Sequence, residues 1–311
     1  MTPTTFITLL KRESWEHRSL FWVPLVTATL IVLTAIISTN VAGSINVELD
    51  GDDVNFFATL SQDGRAQAEL FGVWMSSLII PIIAVTLVVL FFYLLDSLYA
   101  ERKDRSILFW KSLPVSDGAT VLSKAAMALV AVPLWVWLLS LVTGLLVFAI
   151  VAVKVSGSPI APLGNFHFGT WIVLQLTLLQ NLFIASLWYA PIAAYLLLVS
   201  VWAKRAPFLW AVLPPALLIF FEKIAFDSSY VAKVVGRRLS GYFEAIGPSI
   251  PSMRIDTDET GTATLIDSIR QAYEGLSAAS LLAEPAIYLG LAVAAIMVFV
   301  SIRLRRWRDD A

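Results

Sequence analysis

The chain has no cysteine, so disulfide bonds and thiolate metal sites are excluded. Its two histidines, His17 and His167, lie far apart in the sequence, and neither has the neighbours of a zinc site. Charged residues make up only 14% of the chain, compared with roughly 25% in an average soluble domain. The formal net charge of −1 gives no sign of a nucleic-acid-binding surface. These features argue against a disulfide-rich domain, a zinc protein and a nucleic-acid-binding protein.

Sequence motifs of nucleotide binding and hydrolysis are also missing. No glycine is followed by lysine, so the chain lacks the phosphate-binding loop G-x-x-x-x-G-K-[ST]. The motifs H-E-x-x-H and G-x-S-x-G do not occur either. We therefore expect that the chain is not an enzyme and that it holds no cofactor, metal or catalytic residue of its own.

Long uncharged runs dominate what is present. Hydrophobic residues make up 58% of the chain, and a bilayer is crossed by a helix of about 20 apolar residues. The predicted spans are residues 20–43, 70–95, 125–153, 170–203, 207–221 and 285–302. The sequence thus predicts an all-α membrane protein with six transmembrane helices in a single domain, residues 1–311.

The fifth of these runs is the weakest candidate. The sixteen uncharged residues 206–221 reach only about 24 Å at 1.5 Å per residue, which is less than the thickness of the bilayer core, and Pro214 and Pro215 interrupt the run. Glu222 and Lys223 follow it, where they could snorkel to the surface or pair with each other.

The distribution of lysine and arginine supports this run as a span and predicts the orientation. With six spans and the N-terminus in the cytosol, the two short outer loops carry only Arg65 and Lys154. The cytosolic segments carry many more, including the C-terminal RLRRWR. This is the positive-inside pattern, so both termini are predicted to be cytosolic.

Two flanking segments are predicted to form amphipathic helices. Residues 1–19 would lie on the membrane surface with Trp15 in the interface and Lys11, Arg12 and Glu13 in water, either as an anchor or as part of a partner-docking surface. Residues 222–284 would lie outside the cytosol, with apolar residues at helical spacing in 231–246 and again in 265–276. These outer helices would rest on the outer leaflet or cap the bundle.

Polar and small residues within the spans suggest how the helices pack. Gln175, Gln180 and Asn181 lie in the fourth span, where they either bond a neighbouring helix or line a pathway. In the sixth span, small residues recur every four positions from Ala286 to Ala294, which favours close packing against another helix.

The segment 98–124, LYAERKDRSILFWKSLPVSDGATVLSK, is a charged stretch between two long apolar runs. The second helix is predicted to run on into the charges, Pro114 ends the element, and Ser116 or Asp117 caps the next helix. Composition alone fits either a protein-binding elbow or a stop-transfer cluster with an interfacial tryptophan. The candidate contact residues are Glu101, Arg102, Lys103, Asp104, Arg105, Phe109, Trp110 and Pro114.

The residues ERKDRS at 101–106 and LPVS at 113–116 resemble the E-R-x-x-(G/R)-(T/S)…L-P-x-S signature of bacterial ABC exporter permeases of the ABC-two class. The resemblance implies that the elbow is a coupling helix seated on a separate cytosolic ATPase. It also implies that the N-terminal segment with Lys11, Arg12 and Trp15 is the connecting helix. Family members share the six-helix plan, and short re-entrant or outer-surface helices precede their last span. The segment 222–284 departs from this plan, because it is longer than a simple re-entrant pair.

The resemblance further implies a function. The chain would be the transmembrane subunit of an ATP-driven exporter in the bacterial inner membrane. It would pair with a second copy or a homologue among the membrane lipids, with ATP and Mg²⁺ bound by the partner ATPase. A non-transporting membrane anchor or sensor for an ATPase, and a membrane enzyme acting on lipids, are the alternatives.

Overall fold

The computed structural model describes residues 3–38, 75, 77–104, 115–154, 168–246 and 277–307. Within these ranges the chain is almost entirely helical and contains no strand. The helices are α1 (Pro3–Glu16), α2 (Ser19–Ile37), α3 (Ile79–Asp96), α4 (Tyr99–Lys103), α5 (Asp117–Ala126), α6 (Val132–Lys154), α7 (Phe168–Trp202), α8 (Pro207–Phe226), α9 (Tyr230–Ile246) and α10 (Pro285–Trp307). A π turn (Met127–Ala131) joins α5 to α6, and a 3₁₀ turn (Ala278–Ala283) precedes α10.

Six helical segments of the described chain are long and apolar enough to cross a membrane, which confirms the predicted number. They are Ser19–Ile37, Ile79–Lys103, Asp117–Lys154, Phe168–Trp202, Pro207–Phe226 and Pro285–Trp307. The fifth is longer than the sequence predicted. Its 20 residues reach about 30 Å, with Pro214 and Pro215 inside the helix.

α7 is the central helix of the bundle, since it contacts α3, α6, α8, α9 and α10. In the most apolar 18-residue stretch of α7 half of the residues are buried, whereas only 6% are buried in the corresponding stretch of α8. Ala190 and Ala194 of α7 pack directly against Ala294 of α10. The predicted close approach of the last span to another helix is therefore confirmed, and α7 is that neighbour.

The π turn rotates α5 and α6, the two parts of the third spanning segment, relative to each other about the helix axis. A π turn holds one more residue than an α turn, which offsets the helix faces on its two sides by about 100°. Before the turn, Lys124 points between α1 and α10, where its ammonium meets Glu13. After the turn, Val132 and Val136 point into the apolar core.

Lys154, at the end of α6, closes the C-terminus of α2. Its Nζ donates hydrogen bonds to the carbonyl oxygens of Ala35 (2.8 Å), Ile36 (2.6 Å) and Ser38 (2.6 Å). The last carbonyls of a helix have no hydrogen-bond partner within the helix and carry a partial negative charge. The lysine ammonium supplies both the hydrogen-bond donors and the opposite charge. The contact joins the far ends of the first and third spans.

We expect Lys154→Met to destabilise the protein by about 0.3–1 kcal/mol, because the exposed ammonium stabilises the end of α2. The measurement is thermal unfolding of the purified protein, with a fall of about 1–3 °C in apparent Tm. The control is Lys204→Met, because exposed Lys204 has no hydrogen bond or ion pair in the described part of the chain. Equal melting temperatures for the two variants would contradict this role.

The turn between α8 and α9 is organised by Glu222. Its carboxylate accepts hydrogen bonds from the Ser228 hydroxyl (2.8 Å) and from the Val231 N–H (2.8 Å) at the start of α9. Lys223 pairs with Asp227 at 2.6 Å. Glu222 and Lys223 therefore do not pair with each other, an arrangement that the sequence left open, because each finds a nearer partner in the turn.

α9 matches the amphipathic helix predicted for 231–246 and packs against the middle of α7. The Trp188 indole N–H donates to the Arg238 carbonyl (3.0 Å), and the Tyr242 hydroxyl donates to the Asn181 carbonyl (3.0 Å). Trp188 lies about 30 Å along α7 from Phe168 and about 21 Å from Trp202, so α9 packs well away from both ends of α7. The second predicted amphipathic helix, 265–276, lies outside the described residues.

Arg238 connects α9 to both α7 and α10 through hydrogen bonds. Its guanidinium donates to the carbonyls of Trp188 (3.2 Å) and Ala286 (2.8 Å) and lies 4.7 Å from the centroid of the Trp188 ring. Gly290 leaves the space for it, since a Cβ there would overlap the guanidinium and lie 3.0 Å from Cγ of Pro191. Three helices therefore meet at Gly290.

Candidate functional site

Charged side chains from four helices meet at one end of the bundle. α1 brings two of them, α4 one, α5 two and α10 one, and we call this set the charge cluster. Its members are Arg12, Glu13, Glu101, Asp117, Lys124 and Arg305. The helices of both described chain ends, α1 and α10, therefore lie at the same end of the bundle, as an even number of spans requires.

Local sequence explains how these helices deliver their charges. Ser116 starts α5 as its N-cap, with its hydroxyl accepting from the Ala119 N–H at 3.2 Å, so Ser116 rather than Asp117 fills the predicted cap. Lys124 follows two turns later on the same helix. α10 continues past its apolar part as far as Arg305 without a break.

Glu101 is the centre of the cluster. Its Oε1 accepts from Arg12 Nη2 (3.0 Å) and lies 3.1 Å from Lys124 Nζ, while its Oε2 accepts from Arg305 Nη1 (2.6 Å). Arg305 also donates from Nε to Asp117 at 3.2 Å. One carboxylate thus joins cations from three other helices.

Lys124 is the most deeply buried member, with 0% of its side chain exposed. Its ammonium lies 2.8 Å from Glu13, whose other oxygen accepts from the Tyr93 hydroxyl at 3.1 Å. Burying an ion is expensive unless opposite charges and hydrogen bonds surround it. The cluster meets that condition, because three cations face three carboxylates with direct contacts.

The prediction that Arg12 and Glu13 remain in water is wrong. The side chain of Glu13 is 1% exposed and that of Arg12 is 15% exposed. Both turn away from the membrane surface because Lys124 and Glu101 offer buried partners. Lys11 and Trp15 do remain exposed, with the ammonium 5.1 Å from the indole centroid.

His17 lies beside the cluster and packs edge-on against Tyr93, with ring centroids 4.8 Å apart. Burial lowers the pKa of His17 and nearby Lys124 lowers it further, which favours the neutral imidazole. Ligand atoms of Glu13, Glu16 and His17 lie within 4.8 Å of one another. Lys124 and Arg12 already neutralise the two carboxylates, so we assign no metal to this group.

Arg102 makes a second attachment next to the cluster. Its Nη2 donates to the carbonyls of Ser200 (2.8 Å) and Ala203 (2.7 Å) at the end of α7. The Ser200 hydroxyl in turn accepts from the N–H groups of Leu98 and Tyr99, both at 3.0 Å. The start of α4 is thereby fixed to α7 as well.

The other predicted contact residues divide into two groups. Lys103 and Asp104 are exposed at the end of α4, next to the buried Glu101 and Arg102. Arg105, Phe109, Trp110 and Pro114 lie outside the described residues. The structure therefore describes both ends of the predicted elbow but not its middle.

The polar residues of the fourth span have different surroundings. Asn181 is buried and its Oδ1 accepts from the Ala278 N–H at 2.9 Å, so it bonds a neighbouring segment. Gln180 is exposed. Gln175 is buried, and its backbone carbonyl accepts from the Trp137 indole at 2.9 Å. Its side-chain oxygen accepts no hydrogen bond from the described part of the chain.

Sequence reasoning missed four of the six cluster members as site residues, namely Glu13, Asp117, Lys124 and Arg305. Lys124 directly precedes the third uncharged run, and Arg305 belongs to the basic tail that indicated the topology. The sequence did contain a signal for this site. Several helices predicted to end on the same side each carry a charged residue within one turn of the end of the span.

Comparison with protein-family models, with curated proteins and with solved structures gives no match. The fold and its six apolar helices define the class, which is an all-α, multi-pass membrane protein.

Proposed function

We propose that this protein is the membrane subunit of an ATP-driven ABC exporter in the bacterial cytoplasmic membrane. Two such subunits, identical or related, enclose the pathway, and a separate cytosolic ATPase binds ATP and Mg²⁺. The subunit itself binds no nucleotide and performs no covalent chemistry. The six spanning helices and the ABC-two-like residues at 101–106 and 113–116 support the proposal.

The observation that carries the proposal is the position of the charge cluster. α4 and α5 form the two ends of the predicted coupling elbow, and both are held in the cluster through Glu101, Asp117 and Lys124. Buried ion pairs are costly to separate, so a force on the elbow moves α4 and α5 together. Arg12 and Arg305 pass that movement to the first and last helices of the described chain.

The first test concerns association with the ATPase. The full chain is co-expressed with each candidate ABC ATPase from the same genome, and the amount of ATPase that co-purifies is measured. Because buried aromatic anchors carry most of the energy of an interface, Trp110→Ala should weaken the complex by about 30-fold. The control is Trp22→Ala, which removes a tryptophan that is 61% exposed on the first span.

Charge reversal tests the elbow independently of its tryptophan. Lys103→Glu and Asp104→Lys change exposed residues at the end of α4, and Lys204→Glu is the matched control beyond α7. Arg102 is not a suitable target, because its buried guanidinium holds α4 to α7. The proposal fails if no ATPase associates, or if the elbow variants and the controls retain it equally.

A non-transporting anchor for an ATPase would also associate but would not move a substrate. Reconstituted vesicles distinguish the two roles by ATP hydrolysis measured across a panel of candidate substrates. An exporter shows hydrolysis that rises with at least one substrate. An anchor shows the same rate with all of them.

A further inference from the structure

An apolar groove opens on the surface of the bundle between α5, α7 and α10. Its volume is about 330 Å³, and every residue that lines it is apolar. Alanines form much of the wall, including Ala190 and Ala194 on α7 and Ala294 and Ala295 on α10. Where α7 and α10 pack closely, their short side chains form a shallow apolar floor, so the part of any ligand that lies there must be apolar.

The groove is nearly as long as one leaflet of a bilayer is thick. It extends along α10 from Ala294 to Ile302, which is about 12 Å at 1.5 Å per residue. One turn before Ala294, the packing of Gly290 against Arg238 and Pro191 closes the space between α7 and α10. Half of the hydrocarbon core is about 15 Å thick, so the groove covers most of the length available to one acyl chain.

The groove ends in positive charge near the charge cluster. The guanidinium of Arg303 lies 5.2 Å from the ring centroid of Phe299, which lines the groove. Arg306 follows Ile302 by four positions, so it lies on the groove-lining face of α10. Both arginines are exposed, and neither has a carboxylate partner in the described part of the chain. Trp307, 78% exposed, lies beside them where interfacial aromatics are common.

We propose that this groove binds one phospholipid with an anionic headgroup from the leaflet at the charge-cluster end. An acyl chain occupies the groove, and Arg303 and Arg306 pair with a headgroup phosphate whose negative charge no choline cation neutralises, in a geometry that suits the forked guanidinium. Basic sites between membrane helices bind acidic headgroups in this way. A second copy packed through the same surface would bring like charges together, which disfavours it as the occupant. The inference does not depend on the proposed transport function.

Native mass spectrometry of the full chain in detergent tests the site. The protein is titrated with phosphatidylglycerol and with phosphatidylcholine that carry the same acyl chains. We expect one phosphatidylglycerol per chain, bound about 25-fold more tightly than phosphatidylcholine, since each of the two arginines contributes about fivefold. Glycerol phosphate, which has the phosphate but no acyl chain, should not compete.

Two sets of variants separate the headgroup site from the groove. Arg303→Gln with Arg306→Gln should abolish the preference for the anionic lipid, whereas Lys204→Gln with Arg205→Gln removes two exposed charges elsewhere and should preserve it. Ala295→Leu narrows the groove from its exposed side and should weaken the binding of both lipids about tenfold. Ala292→Leu, exposed on the same helix but outside the groove, should not.

Several results would overturn the proposal. These are an unchanged lipid preference in the double arginine variant, equal lipid binding by Ala295→Leu and Ala292→Leu, and competition by glycerol phosphate. A loss of dimer in Ala295→Leu without a change in lipid binding would assign the groove to a second copy instead. Melting temperatures of all variants establish that each is folded.

Discussion

Lys124→Met is expected to cost about 3–5 kcal/mol, because it removes one partner from a buried ion-pair network. Glu13 loses its 2.8 Å cation contact and Glu101 loses one of its three cations. The side chain of Lys124 is 0% exposed, so water cannot readily replace the ammonium. Denaturant titration of the purified protein in detergent, followed by circular dichroism, measures the loss.

Two further variants make this result specific. Lys204→Met removes an exposed lysine at the same end and should remain within about 0.5 kcal/mol of the native protein. Adding Glu13→Gln to Lys124→Met removes one charge of each sign. The double variant should therefore lose less free energy of unfolding than the sum of the losses in the two single variants. A Lys124→Met protein as stable as Lys204→Met would show that the cluster does not hold the four helices together.

The second large effect is expected from Gly241→Leu in α9. A Cβ at Gly241 would lie 2.9 Å from Cζ2 of Trp188, whose side chain is only 1% exposed and has no room to move. Overfilling such a contact typically costs about 1–3 kcal/mol, and here it would push α9 away from α7. Hydrogen exchange should then increase throughout Tyr230–Ile246.

Gly236→Leu in the same helix is the matched control. No heavy atom lies within 4 Å of a Cβ at Gly236, so both substitutions change helix propensity alike and only one creates a clash. The difference between the two melting temperatures therefore isolates the contact with Trp188. If the variants melt together and exchange alike, α9 is not held by this contact.

Much of the fold could be predicted because it follows from local patterns. Uncharged runs predicted the six spans, the spacing of apolar residues predicted α9, and Ser116 was recognised as a possible N-cap. The length of α8 could not be predicted in the same way. In the sequence, Glu222 marks the end of the uncharged run. In the structure, its carboxylate instead accepts a hydrogen bond from the first turn of α9.

The charge cluster was beyond local reasoning, because its partners are far apart along the chain. Glu13 and Lys124 are separated by 111 positions, and Glu101 and Arg305 by 204. In the sequence alone, Glu13 reads as the wet face of a surface helix. Only the packing of α1 against α5 gives it a buried cation.

The π turn limits how the length of this chain can vary. Met127–Ala131 lies between Lys124, which faces the charge cluster, and Val132, which faces the core. Losing one residue there would restore an ordinary α-helix and rotate one half by about 100° relative to the other. Either the ammonium would leave its carboxylates or the valines would leave the core. Related chains should therefore conserve the number of residues between these positions more strictly than the residues themselves.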